Sequence, residues 1–186
     1  MERSVALEEA KLVERAKNGE AAAYERLVKV HQKIAFRAAY LILRDAPEAE
    51  DATQEAFVKA YRALDGFRPG ASFKPWLLSI VTNEAKNRRK AAGRRAGLVL
   101  RAEREAASSS HPSPEADVVA TERLEELLAA LEEMREEDRA VISHRYFLDL
   151  SERETATALG CARGTVKSRL SRAMGRLRER MVKDAG

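Results

Sequence analysis

The amino-acid sequence predicts an all-α protein, two small helical domains joined by a flexible linker. Three observations carry that expectation. Apolar residues recur at helical intervals through two long blocks. The composition, 45% hydrophobic and 34% charged with only 5% aromatic, suits helices with solvated faces better than a β-sandwich. Between the blocks, residues 96–117 lose periodicity and include Ser108-Ser-Ser-His-Pro-Ser-Pro114, which cannot bury enough apolar surface to order itself. At 186 residues the chain suffices for two such units, expected over 7–95 and 118–182.

In the first unit, helices run from Leu7 to Leu43. Their apolar positions are Leu12, Val13 and Ala16, then Ala23, Leu27 and Val30, then Ile34, Ala38, Leu41 and Ile42. Asn18-Gly19 separates the first helix from the next, and Arg44-Asp-Ala-Pro47 ends the block because proline disfavours helical geometry in the residue before it. A helix from about Ala49 to Leu64 follows, with Ala52, Ala56, Ala60 and Leu64 on one face. Asp65 to Ser72 is a loop of turn formers, and Pro75 suits the first turn of a helix from Trp76 to about Lys90. In the second unit, Leu124, Leu127, Leu128 and Leu131, then Val141, Ile142, Tyr146 and Leu150, mark a helical block ahead of two closing helices.

Those closing helices hold the strongest local signal. Ser151 is an N-cap candidate for a helix ending at Gly160, and a second helix starts near Arg163, the layout of a helix-turn-helix. Val166, Leu170, Met174 and Leu177 form its apolar stripe, while Lys167, Ser168, Ser171 and Arg172 point the other way. A cationic, hydroxyl-bearing face opposite a core stripe fits the DNA major groove. Helical hairpins in ordinary cores share this spacing, but their outer faces usually mix signs.

Charge is distributed unevenly although the net is only +4. Lys86 to Arg95 holds six basic residues and no acid; Arg163 to Arg180 holds seven against one; Asp45 to Glu55 holds five acids and no base. Two basic patches and one acidic patch imply a nucleic acid contacted twice and a protein contacted elsewhere. The single cysteine, Cys161, excludes an internal disulfide, and a cysteine zinc site is not expected. His31, His111 and His144 have no metal-ligand spacing, and no cofactor motif, nucleophile-base pair or phosphate-binding glycine loop supports an enzyme. The charged N-terminus lacks a signal core and no run is long enough to span a bilayer, so a cytoplasmic protein without membrane insertion is expected.

Four motifs in order, Asp-x-x-Gln-Glu at 51–55, Phe-x-x-Gly-x-Ser-Phe at 67–73, Trp-Leu at 76–77 and Gly-Thr-Val-Lys-Ser-Arg at 164–169, resemble the extracytoplasmic-function group of the sigma-70 family. The resemblance runs from about Leu12 to Arg180 and implies a transcription initiation factor with no catalysis of its own. It implies that Asp51, Gln54 and Glu55 bind the clamp of core RNA polymerase, whose flap is a further contact. It implies minus-10 contacts from Phe67, Ser72, Phe73, Asn83, Lys86, Asn87 and Arg88, with the loop holding a flipped base, and minus-35 contacts from Arg145, Thr165, Lys167, Ser168, Ser171 and Arg172. Promoter DNA is then met both as duplex and as single strand, and an anti-sigma factor is an expected partner. For Phe67, Phe73 and Trp76 a second reading stays open, as core residues at helix ends. A stand-alone helix-turn-helix regulator is the rival function, but it leaves the acidic helix and aromatic loop without a task. Departures from the family pattern are Arg135 where a Leu-Pro pair often opens region 4, Thr155 in place of a branched apolar residue, and the small Ala52-Thr53 pair.

Overall fold

A computed structural model describes residues 2–102, 127, 129–131 and 133–184, which contain helices and turns and no strand. Four helices, α1 (Glu2–Lys17), α2 (Ala21–Leu43), α3 (Ala46–Arg62) and α4 (Phe73–Ala102), form the N-terminal bundle. In the C-terminal unit, α5 (Glu136–Ile142) continues as a π-turn over Ser143–Phe147, followed by α6 (Glu152–Leu159) and α7 (Arg163–Asp184).

The expected breaks occur where the local chemistry calls for them. Gly19 sits at φ +86° between α1 and α2, a conformation that costs glycine little. Asp45 caps α3, its carboxylate accepting the Glu48 amide at 2.8 Å, with Pro47 in the first turn. Ala52, Ala56, Ala60 and Leu64 are all buried; the small size of the three alanines lets α3 lie close against α2 and α4.

Three sequence expectations need correction. Val30 is 62% exposed; the buried stripe of α2 passes instead through Leu27, His31, Ala35 and Ala38. Tyr146 is 62% exposed because the π-turn, with the Leu148 amide bonded to the Ser143 carbonyl, shifts the helical register and carries the ring to the surface. Finally, α4 continues to Ala102, past the expected start of the linker at 96, since alanine, leucine and arginine there favour helix despite Gly93 and Gly97. The remainder of that linker, with the Ser/Pro run and His111, lies outside the described residues, as does the expected helix start near Val118.

The two units are packed together. Leu148, Leu150 and Ala158 join the core of the N-terminal bundle, while Leu131, Met134, Val141, Ile142, Val166, Ala173 and Leu177 form a second core. Polar contacts cross the boundary: Arg37 donates to the Phe147 carbonyl at 3.0 Å, and Lys86 and Arg89 reach the two oxygens of Glu136 at 3.3 and 2.7 Å. His144 is buried at this boundary, its Nδ1 donating to the Ala140 carbonyl at 2.8 Å and its Nε2 accepting from the Thr82 hydroxyl at 3.2 Å.

Candidate nucleic-acid and polymerase interfaces

The acidic helix α3 turns its alanines inward, which leaves Asp51 and Gln54 exposed and Glu55 half-buried on the outer face. Asp51 is 66% exposed, and Glu55 is only loosely paired with Lys59 at 3.9 Å. Two residues extend this face beyond the expected set. Val58 and Tyr61 are 43% and 48% exposed and follow Gln54 by helical steps. The signal in the sequence is the helical spacing from Gln54 to Val58 and Tyr61.

The 67–73 loop divides its residues between inside and outside. Phe67 and Phe73 are 5% and 1% exposed, and their rings pack on Trp76 at centroid distances of 4.9 and 5.5 Å, Phe67 edge-on and Phe73 tilted. The core reading thus holds for both phenylalanine rings, which shape the loop from beneath and leave no face free for a base. Arg68, Gly70, Ala71 and Ser72 are exposed above them. They open into a cleft of about 460 Å³ whose far wall is Arg153, Glu154 and Thr157 of α6. Gly70 holds φ +75°, which a side chain would strain.

Along α4 the expected DNA residues separate into three sets. Asn83 and Asn87 are exposed one turn apart, continuing to Lys90. Lys86 faces the C-terminal unit, engaged with Glu136. Arg88 lies among carboxylates, 3.1 Å from Glu84, 3.2 Å from Glu48 and 3.7 Å from Asp51. Burial opposes the charge on Glu84 and on Arg88, but the pairing outweighs it, so the Glu84 carboxyl is held below its usual range and the Arg88 guanidinium is raised. Arg88 therefore ties α3 to α4.

The helix-turn-helix forms as the sequence suggests. Ser151 and Glu154 make a reciprocal capping box, and Gly160 ends α6 at φ +63°. Val166, Ala173 and Leu177 are buried, while Lys167, Ser168, Ser171 and Arg172 share the open face of α7. Thr165 is half-buried at its start. Arg145 is turned away from this face, its guanidinium donating to the Leu150 carbonyl, so it braces the approach to α6. Arg176 is likewise engaged, 2.7 Å from Asp138.

Residues 27–95 match the family Sigma-70 region 2 and residues 124–177 match Sigma-70, region 4. The RNA polymerase sigma-H factor of Pseudomonas aeruginosa is 36% identical over 169 residues, covering 87% of this chain and 88% of its own. The ECF RNA polymerase sigma-E factor of Escherichia coli K12 is 36% identical over 171 residues with the same coverage. The chain is a sigma-70 family sigma factor of the extracytoplasmic-function group.

Among solved structures, the sigma factor RpoE in complex with the anti-sigma factor NepR from Bartonella quintana superposes with a TM-score of 0.65 at 26% identity, covering 84% of this chain and 94% of that one. CnrH in complex with the cytosolic domain of CnrY shares the fold, with a TM-score of 0.72 at 24% identity over 95% and 99% of the two chains. In this sigma factor the region 2 match starts within α2 and ends within α4, leaving α1 outside it; the region 4 match takes in α5, α6 and most of α7. No helix among the described residues is long and apolar enough to cross a membrane.

Proposed function

We propose that this sigma factor holds promoter DNA at two points while bound to core RNA polymerase. The outer face of α3, with Asp51, Gln54 and Glu55 extended by Val58 and Tyr61, meets the polymerase clamp, and region 4 meets the flap. Exposed carboxylates and an amide suit arginine partners through charge-assisted hydrogen bonds, and the aromatic residue adds contact area. The cleft above Phe67 and Phe73 receives an unpaired minus-10 base, with Arg68 and Ser72 at its mouth. Asn83, Asn87 and Lys90 continue along the strand. Lys167, Ser168, Ser171 and Arg172 lie in the minus-35 major groove, Arg172 as the base-reading residue because a guanidinium bonds guanine bidentately.

The observation that carries this reading is the open cationic face of α7 on one unit, combined with the arched loop and the exposed Asn83, Asn87 and Lys90 edge of α4 on the other. The protein performs no chemistry itself and works in the cytoplasm. An anti-sigma factor is its regulator, a reading supported by the RpoE–NepR complex that its fold resembles. Reconstitution tests the function: core polymerase plus this protein should initiate from a subset of promoters in a genomic pool. A protein that protects duplex sites alone yet never programs the polymerase would be a stand-alone regulator.

A further inference from the structure

Helix α1 precedes the region 2 match, and the reading above gives it no task. Yet its side chains converge on both ends of the 67–73 loop. Lys17 Nζ donates to the Phe67 carbonyl at 2.7 Å, and one Glu9 oxygen accepts the Phe73 amide at 3.1 Å. The other Glu9 oxygen lies 3.0 Å from Nε2 of His31, a residue of α2 that is 5% exposed. The His31 ring in turn packs on Phe73, centroids 5.4 Å apart.

Each group is placed where its charge suits the backbone it meets. The Lys17 ammonium sits on the carbonyl that follows the 3₁₀ turn Leu64–Gly66, and the Glu9 carboxylate sits on the first amide of α4. The Lys17 side chain is only 16% exposed, unusual for a lysine with water available. Between these anchors the exposed part of the loop has little to hold it, the Ala71 amide bonding the Arg68 carbonyl at 3.2 Å and Gly70 at positive φ.

We infer that α1 positions the base-receiving loop for strand opening, with Glu9, Lys17 and His31 fixing its two ends so that the arch from Arg68 to Ser72 stands preformed. The inference rests on the loop's proposed role in minus-10 capture. A loop ordered during folding does not lose its freedom again when the base arrives, so the clamp favours binding without touching DNA. Glu9, Lys17 and His31 are positioning residues in this account.

The test uses holoenzyme reconstituted with full-length protein and fluorescent single-stranded minus-10 oligonucleotides from a promoter the factor uses, with an abasic site scanned along them. Wild type should prefer the intact strand over one abasic position; if it shows no such preference, the loop reading itself fails. Given that preference, Lys17→Met should weaken intact-strand binding by about tenfold, the size of one charge-assisted hydrogen bond, and leave abasic and minus-35 duplex binding unchanged. Glu9→Gln should act in the same direction, and Lys17→Arg should restore the preference. Thermal melts of each variant separate this from unfolding. Equal losses on intact and abasic strands, or undiminished discrimination in folded Lys17→Met and Glu9→Gln, would overturn the inference.

Discussion

Thr155 shows how much one atom decides inside a small domain. Its side chain is fully buried at the start of α6, and its hydroxyl has no hydrogen-bond partner among the described residues. A branched apolar residue is the family habit at this position, and the geometry supplies the reason, because a buried unpaired hydroxyl costs about 1–3 kcal/mol. Thr155→Val keeps the shape and removes the orphan group. It should raise the urea midpoint, with a gain of about 1 kcal/mol; a loss would mean that the hydroxyl is satisfied after all. His31 poses a different problem. It lies on the core stripe of α2 as a polar residue, which periodicity reads as a gap, and the carboxylate 3.0 Å from its Nε2, that of Glu9, is invisible to local sequence patterns.

At the scale of elements, most of the fold was legible. Alanine spacing located the buried face of α3, and the Ser151–Glu154 box with Gly160 bounded α6. The open face of α7 was legible too, because a helix projects residues by fixed steps. The assignments that changed depend on geometry that spacing does not encode. A π-turn displaced Tyr146, tertiary pairing drew Arg88 inward, a local bond to the Leu150 carbonyl engaged Arg145, and aromatic packing buried Phe67 and Phe73. For α3 the outer face predicts a separable effect. Changing Asp51 and Gln54 together to Lys should abolish core-polymerase binding in a pull-down while leaving helicity and duplex binding by region 4 intact. Tyr61→Ala should weaken core binding by about tenfold, as expected for an exposed aromatic anchor. Retained core affinity in the double variant would refute the clamp assignment.

Across the whole molecule, the docked units commit Lys86 and Arg89 to Glu136 and bury His144 between α4 and the π-turn. Burial, against the pull of the Ala140 carbonyl and with help from Lys86, lowers the His144 pKa from 6.5 to about 4. The unfolded chain therefore binds a proton that the fold refuses, so stability should fall as pH drops from 6.5 toward 4, by about 3 kcal/mol at about 1.4 kcal/mol per unit. Glu136 is also buried in part, yet Arg89 and Lys86 hold its carboxyl below the usual glutamate range, so its contribution is lost only at more acid pH than a free glutamate would need. Denaturant titrations across pH should show the first loss flatten in His144→Gln; an unchanged profile would place the acid sensitivity elsewhere. Glu136→Gln should loosen the docked units, read as a larger radius of gyration in solution scattering.

If one unit grips the duplex while the other opens it, duplex retention and permanganate reactivity of the minus-10 strand, read on the same holoenzyme–promoter complexes, should respond separately. Ser72→Ala combined with Asn83→Ala should leave retention near wild type and lower reactivity per bound complex. Arg172→Ala should reduce retention while the complexes that form open normally. Loss of retention with normal opening in the loop variant, or defective opening per complex in Arg172→Ala, would contradict the two-point grip.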